Sequence, residues 1–105
     1  MHPTEEELRE LTRRIVEAVD PLRVILFGSA ARGDAGQDSD VDVLVVMPDG
    51  AQRRATAQYL HTRFFGMPFG VDVVVTTRSH LERHAANIGL IYRTILEEGR
   101  ELYAA

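Results

Sequence analysis

The sequence predicts a single α/β (α+β) domain with a small three-stranded sheet and about four helices. Three observations predict it. Residues 23–28, 40–46 and 71–77 are short runs rich in β-branched and aromatic residues. Helical apolar spacing precedes the first run, separates the second from the third and follows the third. The 105 residues suffice for one hydrophobic core, so residues 1–105 are read as one domain.

Each element has a local reason. Thr4 and Glu7 have capping-box spacing, and Leu8, Leu11, Ile15 and Val19 recur behind them at helical spacing. Asp20-Pro21 stops that helix. The strand "RVILFG" ends at Gly28, and residues 29–39 form a loop with room for a short helical turn after Ser29. "DVDVLVV" is the second strand, closed by the turn signal Pro48-Asp49-Gly50. Its short link to the first strand fits an antiparallel pair. Residues 51–65 predict a helix with Ala57, Leu60 and Phe64 on one side, broken by Gly66 to Gly70. "VDVVVTT" is the third strand. Ser79 and Glu82 repeat the capping-box spacing, opening a last helix that runs to about Glu98 and stops at Gly99. Its Leu81, Ile88, Ile91 and Ile95 face the sheet, whereas Tyr92, Tyr103 and the apolar tail are candidates for an interface.

Composition removes several chemistries. All twelve basic residues are arginine, which excludes lysine adenylates, Schiff bases and a P-loop lysine. Cysteine is absent, excluding thiolate catalysis and Cys-zinc sites. A net charge of −4 argues against a general nucleic-acid binder, although a metal can mask the phosphate charge of a nucleotide. The polar N-terminus is no signal peptide, and no apolar run reaches the ~18 residues of a membrane span. A cytoplasmic protein is the expectation.

The informative stretch is "GSAARGDAGQDSDVDVLVV", residues 28–46. Side chains alternate along a strand, so Asp40 and Asp42 share a face, about 7 Å apart. Like charges at that distance raise each other's pKa, and Asp is a poor strand former. Asp72 repeats the anomaly in the third strand, and it lies beside the pair if the two strands are neighbours. Three carboxylates on one face suit magnesium, which completes its shell with water and phosphate oxygens. Two such ions can activate an attacking oxygen and stabilise the leaving one. Asp34 and Asp38 are read as solvated turn residues. Gly28 lets a phosphate approach the backbone, and Ser29 can cap the next turn or donate to a phosphate oxygen. Asp34 stands where a P-loop needs lysine, so that motif is rejected. Arg32 either pairs with a triphosphate or bridges Asp34 or Asp38 at the surface.

Gly-Ser, a spacer of about ten residues, Asp-x-Asp and an Asp on a later strand resemble the signature of the DNA polymerase beta-type nucleotidyltransferase superfamily. The length and the Gly-Ser-x-Ala-Arg-Gly-Asp form are similar to its minimal nucleotidyltransferase (MNT) domains. The likeness covers residues 22–76, and "ILEEGRELY" is similar to the tail of that group. It implies a mixed sheet flanked by helices. It implies Asp40 and Asp42 as Mg²⁺ ligands and Asp72 as the third carboxylate, with two ions bound. Gly28 and Ser29 would hold the triphosphate of ATP. It also implies a HEPN-type helical partner, to which an antitoxin of the MntA kind transfers AMP. The extra domains that hold a base or primer in larger members have no counterpart here, so a partner is expected to complete the site.

Two functions compete: an enzyme that adenylylates a protein hydroxyl, and a binding antitoxin that neutralises its partner by covering it. The intact aspartate set favours the enzyme. A transferase for a small molecule would need a further substrate domain. The histidines carry little: His80 and His84 have i, i+4 spacing but no third ligand, and His2 and His61 are read as surface residues. Phe64, Phe65, Met67 and Phe69 are read as packing.

Overall fold

The computed structural model describes residues 3–33, 40–85 and 91–105. Helix α1 (Glu5–Val19) begins as its spacing predicts. The Thr4 hydroxyl accepts from the Glu7 amide at 3.0 Å, and the Glu7 carboxylate accepts from the Thr4 amide at 2.9 Å. Asp20 closes the helix in the left-handed region, at φ 49°. Next come β1 (Arg23–Phe27), the short α2 (Ser29–Arg32) and β2 (Val41–Met47). They are followed by α3 (Arg53–His61), β3 (Val71–Thr77), α4 (Arg78–His84), α5 (Ile91–Glu98) and β4 (Arg100–Ala104).

The sheet has four strands in the order β3-β2-β1-β4, not the three expected from sequence. β1 runs antiparallel to β2 and β4, while β2 and β3 are parallel and joined through α3. The sheet is therefore mixed, as the family likeness implies. The missed strand is β4. Its five residues include Arg100 and Glu101, and pairing with β1, not apolar alternation, makes it a strand. Tyr103, expected at an interface, lies in β4 and packs against the core.

Further expectations are corrected. The helix expected over 51–65 spans only Arg53–His61, and Phe64 reaches the core from the following loop. Arg14 holds that loop from α1, donating to the carbonyls of Phe65 at 2.7 Å and Arg63 at 3.3 Å. The last helix is two helices, α4 and α5. The cap of α4 is Thr77, whose hydroxyl accepts from the His80 amide. Ser79 instead gives its amide and hydroxyl to Asp49 at 2.9 and 2.8 Å, tying the turn after β2 to α4. Tyr92 is buried on the sheet, so it offers no interface, whereas Ile91 is half exposed. Ile88, Asp34, Asp38 and His2 lie outside the described residues.

Both faces of the sheet are covered. Leu8, Leu11 and Ile15 of α1 and Leu60 of α3 pack on Val24, Leu26, Val41, Val43 and Val45. On the other face Leu81, Tyr92 and Ile95 of α4 and α5 pack on Ile25, Leu44 and Val46. This explains the unbroken apolar run of β2: a central strand covered on both sides has no polar face to show. It also fixes parity, because Asp42 shares its face with Leu44 and Val46. Gly99 lets α5 turn into β4, since a Cβ there would stand 2.6 Å from Ile25 Cγ2 and 3.0 Å from the Leu26 carbonyl. Leu44 is fully buried beneath α4 and α5. Leu44→Ala is expected to cost about 2–5 kcal/mol in urea unfolding.

Candidate nucleotidyl-transfer site

The strand register assembles the site. Parallel pairing sets Asp42 directly beside Asp72, and antiparallel pairing sets Phe27 on the other side of Asp42. Gly28 therefore arrives next to the Asp42 carboxylate. Asp40 immediately precedes β2, where the Val41 amide donates to the Gly70 carbonyl at 2.9 Å. The sequence-predicted neighbours thus come together at one end of the sheet, on the face covered by α4 and α5.

Their charges are in conflict. Asp42 is half-buried, while Asp40 and Asp72 are exposed. Burial pushes the Asp42 carboxyl above its ordinary value. The negative charges of Asp72 and Asp40 and a hydrogen bond with the Asp72 carboxyl push it the same way, and the Arg32 guanidinium opposes them. An added divalent cation would relieve this conflict.

Gly28 has φ 74° and ψ −155°, a region essentially reserved for glycine. A Cβ there would also lie 2.5 Å from Asp42 Oδ2. Backbone and carboxylate are therefore in close contact, and any side chain would push them apart. Gly28 is also the N-cap of α2, so Ser29 opens a turn whose first amides lack helical acceptors. Arg32 sits in its last turn, and Gly33 closes it at φ 78°.

Among the described residues, no group of three or more histidine, aspartate or glutamate side chains is arranged to hold a metal ion. What the structure does bring into contact is the Asp42–Asp72 pair, with Asp40 close enough to act on Asp42 by its charge. One or two carboxylates are what magnesium takes from a protein when phosphates supply further oxygens. The residues present fit the ion in the company of a nucleotide.

Other features lie elsewhere. A groove of about 430 Å³ between α1 and β4 is lined by no residue of the carboxylate cluster. The His80 and His84 rings are 4.6 Å apart, and His80 meets the Tyr92 ring edge-on at 5.6 Å. Burial lowers the His80 pKa. No helix among the described residues is long and apolar enough to cross a membrane. Sequence reasoning missed Gly70, which it read only as a helix breaker. A Cβ on Gly70 would collide with Asp40 Oδ1.

The raised Asp42 pKa has a consequence for stability. The folded chain binds this proton more tightly than the unfolded chain, so its contribution is complete below the unfolded pKa and is lost as pH rises through the folded one. Asp42→Asn is expected to melt above the unsubstituted chain at about pH 7, with the gain shrinking toward about pH 4, as checked by thermal denaturation across that range.

The chain is similar in sequence and fold to known nucleotidyltransferases. Residues 6–103 match the family model described as a nucleotidyltransferase domain. A candidate protein adenylyltransferase of Methanocaldococcus jannaschii is 35% identical over 81 residues, covering 77% of each chain. Among solved structures, a toxin–antitoxin assembly with AMP-PNP superposes with a TM-score of 0.61 at 20% identity, covering 92% of this chain and 73% of that one. The toxin–antitoxin MntA-HpeT, in a mutant form, gives a TM-score of 0.56 at 24% identity, covering 97% of this chain and 73% of that one. At those identities the structures share the fold. With the family model matching nearly its whole length, the chain belongs to the nucleotidyltransferase domain family of enzymes.

Proposed function

We propose that this nucleotidyltransferase is Mg²⁺-dependent and moves AMP from ATP to a hydroxyl of a HEPN-type partner toxin, acting as the antitoxin of the pair. The observation that carries the reading is the side-by-side placement of Asp42 and Asp72 on one sheet face, against the Gly28 backbone. The name of the M. jannaschii relative supports a protein acceptor. The toxin–antitoxin assemblies that share the fold support a protein partner, and AMP-PNP in one of them supports ATP as donor.

The residues divide the work. Asp40, Asp42 and Asp72 would hold Mg²⁺, two ions by the family likeness. When bound, the metal supplies positive charge to the triphosphate and makes the acceptor hydroxyl more acidic. Gly28 admits the triphosphate to the backbone, and the first amides of α2 with the Ser29 hydroxyl donate to its oxygens. Arg32 adds a positive charge where pyrophosphate departs. Asp72, exposed at the rim, faces the incoming hydroxyl and accepts its proton. The acceptor oxygen then bonds to the α-phosphorus as the bond to the bridging oxygen of pyrophosphate breaks. Positioning and charge neutralisation account for the rate, with no covalent protein intermediate required.

The test is to incubate the chain with ATP, Mg²⁺ and the protein encoded beside it, then weigh that protein by mass spectrometry. A gain of one or more AMP is expected, and Asp42→Asn or Asp72→Asn should lower the initial rate about 100-fold or more. A tight complex with no change in mass would instead establish the non-catalytic binding antitoxin.

A further inference from the structure

The glycines of this chain differ in what makes glycine necessary. Gly33, Gly50 and Gly66 have φ of 78°, 98° and 85°, and among the described residues a Cβ on any of them would meet nothing within 4 Å, so backbone conformation explains them. Gly28 needs glycine for both conformation and space. Gly99 would drive a Cβ into the backbone carbonyl of Ile95, so its reason is the packing of the fold.

Gly70 belongs to none of these groups. It is exposed, and its φ is not positive, so its backbone accepts any L residue. The three atoms nearest to a Cβ there are all in one side chain: Asp40 Oδ1 in collision, Cγ at 3.0 Å and Oδ2 at 3.5 Å. The Gly70 carbonyl also accepts from the Val41 amide at 2.9 Å, locking the entry of β3 to the residue after Asp40. The Asp40 carboxylate therefore lies in a notch that exists only because residue 70 has no side chain. Gly28 plays the matching part for Asp42 from β1, on the other side of β2.

We infer that Gly70 is a positioning residue that orients the Asp40 carboxylate for binding a divalent cation together with a nucleotide. The inference rests on the proposed role of Asp40 and adds the device that aims it. Asp40 sits at the exposed mouth of the strand, so its side chain can swing away from an added methyl group. Gly70→Ala should therefore fold normally and misplace only this carboxylate.

The experiment measures Mn²⁺ binding by electron paramagnetic resonance, with a non-hydrolysable ATP analogue present. It compares the unsubstituted full-length chain, Gly70→Ala, Asp40→Asn and the double variant, and records a thermal melt of each. The expected result is a melting temperature for Gly70→Ala within about 3 °C of the unsubstituted chain, since the clash is relieved by a surface side chain. Mn²⁺ binding by Gly70→Ala should be weaker by about 10-fold or more, the usual cost of disturbing a group that orients a metal ligand. Asp40→Asn should also weaken binding, and adding Gly70→Ala to it should cost nothing further, because the two act through one carboxylate. Unchanged binding by Gly70→Ala beside a weakened Asp40→Asn overturns the inference and leaves the proposed site standing. Equal losses in both backgrounds, or an unfolded Gly70→Ala, overturn it in favour of a structural role. Unchanged binding by Asp40→Asn overturns the assignment of Asp40, and the inference with it.

Discussion

The rest of the structure is organised around a repulsion. Asp42 and Asp72 are partners in a parallel strand pair, so the ladder that builds the sheet also holds two carboxyls together. Cross-strand like charges are unfavourable, and burial of Asp42 makes its ionised form more so. The two Cα positions cannot separate without shifting the register. A one-residue shift of β3 would turn Val71, Val73 and Val75 from the α1/α3 face toward the other one. The apolar core thus holds in place an arrangement that electrostatics alone would disperse.

The layering supplies the necessary stiffness. β2 is sandwiched between α1 and α3 on one face and α4 and α5 on the other, so every residue of β2 after Asp42 is buried. Bonds outside the core fix the ends. Asp49 ties the turn after β2 to α4, and the Gly70 carbonyl ties the start of β3 to Val41. The carboxylates stand where the buried strand emerges, rigid on one side and open to solvent on the other. That combination suits a preorganised charge site, because little reorganisation remains to be made when a ligand arrives.

How far the sequence reveals this depends on whether a residue's role is local. Thr4 and Glu7 cap a helix through contacts three residues apart, so the spacing alone was sufficient. Asp42 and Asp72 stand out because each violates the apolar pattern of its own strand, and Asp40 because it stands at the mouth of β2. That Asp42 and Asp72 would be neighbours required the parallel pairing, which strand composition does not encode. β4 was hidden because a five-residue edge strand with two charged residues has no pattern until β1 offers it a partner. Ser79 misled for a similar reason: its spacing to Glu82 imitates a cap, yet its donors go to Asp49, thirty residues away. Gly70 was hidden most completely, since the space it preserves belongs to a side chain thirty residues away, just before β2.

Charge also constrains how the proposed reaction can begin. The chain carries a net charge of −4, and the site concentrates three carboxylates at one strand end. A triphosphate approaching that end meets like charge at short range. At Asp42 the Arg32 guanidinium offsets only part of the effect of burial and the neighbouring carboxylates, and the chain has no lysine to assist. Under the proposed function, nucleotide binding at this position would need a cation to accompany the phosphates, and cation binding would gain from phosphate oxygens because the carboxylates fill only part of its shell. Each ligand lowers the cost of the other. The binding free energies are thus coupled, and by linkage the coupling is equal in both directions. Selectivity for a metal-loaded triphosphate would then follow from the same repulsion between Asp42 and Asp72.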